Sequence, residues 1–243
     1  MVTLQSSEHS PTQNHLLAAL PDEIFERLRP HLEWVALPLG KVLYEPGSPL
    51  YYVYFPTKAI ISMHYILENG ASIEIAGVGY EGVLGVTLFM GSNTTTGLAT
   101  VRTGGSGYRL KGAIMMAEFN RGGVMMRLML RYTQALMTQI SQTAACNRQH
   151  SIEQQLCRWL LSTLDRLPSD ELTITQELIA GMLGVRREGI TETAGNLQRA
   201  GLISYRRGHI TVLSRAGLES RACECYQVVK NEFRRLLCDI RQR

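Results

Sequence analysis

Residues 172–212 read LTITQELIAGMLGVRREGITETAGNLQRAGLISYRRGHITV, and this stretch decides the fold. Thr175 is a suitable helix N-cap, because its hydroxyl can accept from an otherwise unpaired amide. Glu177 in the first turn suits the positive end of the helix dipole. Leu178, Ile179, Met182 and Leu183 recur at helical spacing and are expected to face inward. Gly184 permits the positive φ that ends a helix, and Val185 restarts the apolar pattern. A second helix is predicted from about Arg187 to Ala200, burying Ile190, Ala194 and Leu197 and stopped by Gly201. Leu202 and Ile203 begin a strand, Arg206-Arg207-Gly208-His209 turns it, and Ile210 and Val212 return it. This order is that of a winged helix-turn-helix. Its second helix is expected in a DNA major groove, with the hairpin tip near the backbone.

The wording is as specific as the pattern. QELIAGMLGVRREGITETAGNLQRAGLI followed by RRGHITVL resembles the DNA-binding end of the bacterial Crp/Fnr transcription factors. The usual text there is close to QEELAxxLGxSRETVSRxLxxLxxxGLI, with RGxIxI in the wing. Gln176, Glu177, Leu183, Gly184, Arg187, Glu188, Leu197, Gly201, Leu202, Ile203, Gly208 and Ile210 match. The resemblance implies double-stranded DNA, a second copy of the chain and RNA polymerase as partners. It places the DNA-binding residues at Thr175, Arg186, Arg187, Glu188, Thr191 and Glu192, and at Arg206, Arg207 and His209 in the wing. Arg187 could make two hydrogen bonds to a guanine, and Glu188 could accept from a cytosine amino group. Four residues beyond Glu188 the family often carries a second arginine, where this chain has Glu192. Either that carboxylate moves one base preference towards cytosine, or it pairs with Arg187 or Arg199 and orients them.

Charge supports the placement. Residues 1–120 carry a net charge of −3 and residues 121–243 one of +7, so the basic excess lies where a polyanion would bind. Between Gly184 and Arg215, Arg186, Arg187, Arg199, Arg206, Arg207 and Arg215 face only Glu188 and Glu192. With 243 residues, 45% of them hydrophobic, the chain has ample core for two ordinary domains. No apolar run reaches the roughly 20 residues of a membrane span. Residues 1–20 open on polar text with neither a basic start nor an apolar core, so a disordered tail is expected rather than a signal peptide. Five cysteines, an odd number in a long chain, argue against a secreted disulfide framework and for the cytoplasm.

The expected fold class is α+β: an N-terminal antiparallel β-roll, a long dimerisation helix and a C-terminal winged helix-turn-helix. The domain division is 21–147 for the roll with its helix and 148–243 for the DNA-binding part. After a short helix at about Asp22 to Arg29, Val42 to Tyr44, Leu50 to Phe55, Ala59 to Leu67 and Ser72 to Val78 read as strands. Pro46-Gly47, Pro56 and Asn69-Gly70 punctuate them. The same order resembles the Crp/Fnr family, whose roll is a cyclic-nucleotide-binding fold.

In its nucleotide-binding members a cassette close to FGE(L/I) is followed about ten residues later by Arg-Ser or Arg-Thr. The glutamate holds the ribose hydroxyl and the arginine pairs with the phosphate. Here Gly85-Val86 and Thr95-Thr96 stand at those places, and the nearest arginine, Arg102, falls on the next strand. The expected effector pocket (Gly85, Val86, Thr95, Thr96 and Arg102) therefore lacks the cyclic-nucleotide chemistry, and its effector is unassigned.

No cofactor and no metal are expected. The first cysteine is Cys146, too late for the family's N-terminal iron-sulfur ligands. His31, His64 and His150 are scattered, so no haem ligand stands out. No histidine or further cysteine lies beside Cys223-x-Cys225 and Cys238 at a zinc-site spacing, so these read as packing or exposed thiols.

From about Gly123 to Asn147 a long helix is predicted. Met129, Tyr132, Leu136, Gln139 and Thr143 alternate by three and four in a seam that is only partly apolar; the resemblance implies that this helix pairs with its twin in a homodimer, and a helix packed on its own roll is the alternative. Ser151 to Leu167 and Ser214 to Arg243 complete the helices, the latter expected as one. Two other functions compete: a partner-binding module whose winged helix makes only protein contacts, and an enzyme. The chain has no phosphate-binding glycine loop, HExxH or nucleophile setting to support the second.

Overall fold

The structure, a computed structural model, describes residues 9–237. Residues 9–20, expected to be tail, fold onto the roll, with Asn14, Leu16, Leu17 and Leu20 buried. After a 3₁₀ turn at Pro11–Gln13 comes α1 (His15–Ala18), whose Leu16 and Leu17 are buried. The fully buried Asn14 explains the order. Its Oδ1 caps α1, and its amide donates to the carbonyls of Pro56 (2.9 Å) and Gly82 (2.8 Å), tying the segment to the roll. A polar residue at the start of a helix thus anchors text that looked structureless. Residues 1–8 of the expected tail lie outside the described residues.

Next come α2 (Asp22–Leu28), β1 (Glu33–Leu37), β2 (Val42–Tyr44), β3 (Tyr52–Pro56), β4 (Ile60–Ile66) and β5 (Ser72–Val78). The short α3 (Val86–Phe89), β6 (Leu98–Thr103), β7 (Gly105–Lys111) and α4 (Gly112–Asn120) close the roll. Its strands form two antiparallel sheets, ordered β1-β7-β3 and β2-β6-β4-β5. The β4–β5 hairpin turns at Asn69-Gly70, where Gly70 takes φ +81° and Asn69 Oδ1 accepts from Ala71 N–H. Val53, Phe55, Ile61, Val78 and Leu110 fill the space between the sheets.

The predicted long helix is α5 (Gly123–Gln149). Met129, Tyr132, Leu136, Gln139 and Thr143 are all buried within the single chain, so they are not free to form a dimer seam. Tyr132 packs edge-on against Phe233 of the last helix, and Gln139 donates to Gly77 O on the roll. The outward face is the neighbouring heptad: Leu130, Gln134, Met137, Ser141 and Ala144 are all exposed. Both faces have the same period, and the bulkier one went inward.

Ser151 caps α6 (Ile152–Leu164) with a capping box completed by Gln154. There follow β8 (Glu171–Thr173), α7 (Gln176–Leu183), α8 (Arg187–Arg199), β9 (Ile203–Arg206), β10 (His209–Val212), α9 (Arg215–Arg221) and α10 (Glu224–Leu237). A second core gathers Trp159, Leu160, Ile179, Leu183, Ile190, Leu197, Ile210 and Leu218. The one C-terminal helix of the sequence reading is two. Ala222 is extended (φ −69°, ψ 152°), and α10 turns away to pack on α5, with Phe233 and Leu237 against the core of the roll. Residues 238–243 of that expected helix, Cys238 among them, lie outside the described residues. No helix among the described residues is long and apolar enough to cross a membrane.

Candidate nucleic-acid interface

The helix-turn-helix forms as its local chemistry dictates. The Thr175 hydroxyl accepts from Leu178 N–H at 3.3 Å, and Gly184 ends α7 with φ +67°. Ile190, Ala194 and Leu197 of α8 are buried, but Leu178, expected inside, is half exposed. It follows the N-cap by three residues and lies on the outer side of the first turn.

The opposite side of α8 presents Arg187, Glu188, Thr191 and Glu192 to solvent, one turn apart along the helix. The Thr191 hydroxyl lies 2.7 Å from Gln176 Oε1, which pins the start of α8 to the start of α7. Arg187 faces Glu177 at a loose 3.8 Å, with both side chains mostly exposed. Glu192 makes no hydrogen bond or ion pair among the described residues, while Arg199 donates to Asn196. The alternative in which Glu192 orients Arg187 or Arg199 is therefore not what the fold adopts. Gln176 and Glu177 were legible as family matches, but their contact with α8 crosses the turn and shows only in three dimensions.

The wing is the sheet β8-β10-β9, with Arg206 paired to His209 across a two-residue turn. Arg207 (φ 49°) and Gly208 (φ 80°) both take the left-handed conformation that matches such hairpins to strand twist. Arg206 and Arg207 are exposed at the tip, and His209 Nδ1 lies 3.2 Å from Thr173 Oγ1 on β8. Arg215, counted in the basic excess, is used elsewhere: it pairs with Asp165 and Glu219 and donates to Tyr226. Burial alone would raise the Asp165 carboxyl, but hydrogen bonds from Arg215 and Tyr226 hold it below its ordinary value.

The profile of the Crp-like helix-turn-helix domain matches residues 154–221. No curated protein matches the chain by sequence. In fold the chain is similar to FixK2 from Bradyrhizobium japonicum, with a TM-score of 0.68 at 14% identity, covering 79% of this chain and 98% of that one. It is similar to a CRP-family transcriptional regulator from Thermus thermophilus (TM-score 0.66, 18% identity, 77% and 96% covered). It is also similar to the c-di-GMP-responsive global regulator CLP of Xanthomonas campestris (TM-score 0.65, 16% identity, 80% and 100% covered). Residues 154–221 are thus a Crp-like helix-turn-helix domain, the DNA-binding part of a transcription regulator, and the whole chain shares the fold of these Crp/Fnr regulators.

In this regulator the expected effector residues do not form one pocket. Gly85, Val86 and Thr95 line a cavity of about 50 Å³ with Tyr44, His64 and Ala99. Ligand pockets run to about 300–1,000 Å³. Gly85 takes φ +110°, and any Cβ there would strike the Tyr44 hydroxyl, which itself donates to Tyr52 O. Thr96 lies outside the cavity, its hydroxyl 3.2 Å from that of Tyr65.

Arg102 does not face the cavity at all. Fully buried, it donates to both oxygens of Glu74 (2.9 and 3.0 Å) and to Thr163 Oγ1 on α6, and lies over the Trp159 ring. Glu74 accepts further from Ser62 and from Trp159 Nε1. The arginine thus joins the roll to the DNA-binding domain instead of awaiting a phosphate. Its burial lowers its pKa against the pull of Glu74.

The described thiols are packed inside, one of the two outcomes expected, but with a neighbour that spacing did not show. Cys146, Cys157, Cys223 and Cys225 are all buried, and the fold supplies the histidine that sequence spacing lacked. Cys146, His150, Cys223 and Cys225 bring their ligand atoms within 4.8 Å of one another. A hydrogen bond from Cys146 favours the thiolate of Cys223 and pushes Cys146 itself up.

Proposed function

We propose that this regulator acts as a homodimer paired along the outer face of α5. Each α8 then reads one half-site of a pseudo-palindrome, the half-sites lying about one helical turn apart. Arg187, Glu188, Thr191 and Glu192 meet base edges, while Arg186 and the wing residues Arg206 and Arg207 meet phosphates. Thr175 and His209 flank this surface at the start of α7 and beside the wing tip. The observation that carries the dimer is the exposed heptad. Leu130 and Met137 stand 50% and 60% exposed, and Ser141 and Ala144 are small enough for close helix approach.

Light scattering on the double variant Leu130→Glu/Met137→Glu tests this. The two side chains touch solvent, so the fold should persist while the dimer splits. Duplexes selected from a random library by the wild type should bind the variant at least about 10-fold more weakly, because the two half-sites no longer act together. A variant that stays dimeric sinks the seam. On the wild type, log affinity should fall steeply with log salt concentration, as phosphate contacts require. The roll is proposed not to bind a cyclic nucleotide at its small Val86 cavity. A tight 1:1 calorimetric signal with cyclic AMP or cyclic GMP would overturn that part.

A further inference from the structure

The break between α9 and α10 has a chemical counterpart. It carries Cys223 and Cys225 to the C-terminal end of α5, where they meet Cys146 and His150, and the three cysteines form a small cluster apart from the two main cores. Cys146 Sγ lies 3.5 Å from Cys223 Sγ, and Cys225 Sγ lies 3.6 Å from His150 Nδ1. A tetrahedral zinc ion, with bonds of about 2.3 Å to sulfur and 2.0–2.1 Å to nitrogen, spaces its ligands about 3.6–3.8 Å apart. We propose that Cys146, His150, Cys223 and Cys225 form a closed, structural Cys₃His site for a thiolate-preferring divalent metal ion, zinc above all.

The surroundings fit the same chemistry. His150 Nε2 faces Glu224 Oε1 at 3.4 Å, while Nδ1 faces the sulfur of Cys225. Such a carboxylate partner is what orients a metal-binding imidazole. Gln155 donates to His150 O at 2.9 Å and holds the residue where α5 gives way to α6. Three thiolates and a divalent ion leave one negative charge. The buried Arg158, whose Nε has no hydrogen-bond partner, lies near Cys146, a cation beside that charge. All four ligands come from the chain, so no position is left open for catalysis. The ion ties the α9–α10 junction to the end of α5, and so fixes the winged domain on the helix proposed to pair the dimer.

The full chain, purified under reducing conditions and stripped by chelator, is titrated with zinc alone and separately with cobalt(II) alone. One metal ion per chain is expected, with cobalt giving sulfur-to-metal charge-transfer absorption and the intense visible bands of a tetrahedral site. Zinc should raise the thermal midpoint. Cys223→Ser and Cys225→Ser should abolish stoichiometric binding, Glu224→Gln should weaken it about 10–100-fold, and Cys157→Ser should leave it intact. Because the cobalt spectrum is read on the wild type, a variant that fails to fold does not spoil the test. Octahedral cobalt, no bound metal after zinc addition, or a Cys146–Cys223 disulfide in the freshly reduced protein would each overturn the site.

Discussion

Two arginine–glutamate pairs in this regulator use the same groups to opposite ends. Glu74 and Arg102 meet at 2.9 Å with side chains 9% and 4% exposed, and Ser62, Trp159 and Thr163 add further hydrogen bonds that leave Arg102 Nε unpaired. Glu177 and Arg187 face each other at 3.8 Å with side chains 75% and 63% exposed. Where water is excluded, a broken pair leaves a bare charge, so the first pair is committed and holds roll to winged domain. Where water is present, partners exchange at little cost, so Arg187 is free to leave Glu177 for a base. Arg102, the arginine nearest in sequence to the expected effector residues, thus serves an internal use.

The sharpest way to break this comparison is Arg102→Ala. It strands the Glu74 carboxylate in the interior and should cost about 3–5 kcal/mol in urea unfolding followed by tryptophan fluorescence. The double variant with Glu74→Ala should recover part of that loss. A loss below about 1 kcal/mol would show that the junction is ornamental. At the exposed pair, Glu177→Ala should change stability by less than about 1 kcal/mol. Arg187→Ala should leave stability alone but weaken operator binding by about 1–3 kcal/mol and relax preference at one base pair per half-site. Equal weakening on every sequence would mean that Arg187 touches phosphate. Glu192→Arg should raise overall affinity, make the log–log salt slope steeper by about 1 and restore a guanine preference; an unchanged slope would place residue 192 off the DNA.

The smallest expected effect concerns His64, beside the Val86 cavity, whose pKa is pushed down by burial. The unfolded chain binds this proton first, near the ordinary value of about 6.5. Its contribution to stability is thus complete above that value and is lost as pH falls through the lower folded pKa. Thermal midpoints between pH 7.5 and 5 should decline in the wild type and decline less in His64→Gln. Identical profiles would show that the ring is solvated.

Sequence by itself determined the winged helix-turn-helix, because each of its signals acts within a turn or two. Thr175 caps over three residues, Gly184 and Gly208 supply local positive φ, and Ile190, Ala194 and Leu197 repeat at the helix period. It also put Val86 and Thr96, neither a glutamate nor an arginine, at the positions where the resemblance expects the cassette.

What it could not determine was which of two equally periodic faces of α5 is buried. Met129, Tyr132 and Leu136 turned inward and Leu130, Gln134 and Met137 outward only because the roll and α10 offered a fitting surface. Nor could it show that Asn14 would tie residues 9–20 to Pro56 and Gly82. The direction of Arg102, set by Glu74 and by α6, was equally hidden, as was the meeting of Cys146 and Cys223 across 77 residues of chain. Capping and periodicity are properties of neighbours along the chain. Burial and pairing between distant segments are settled by packing, which tertiary structure alone decides.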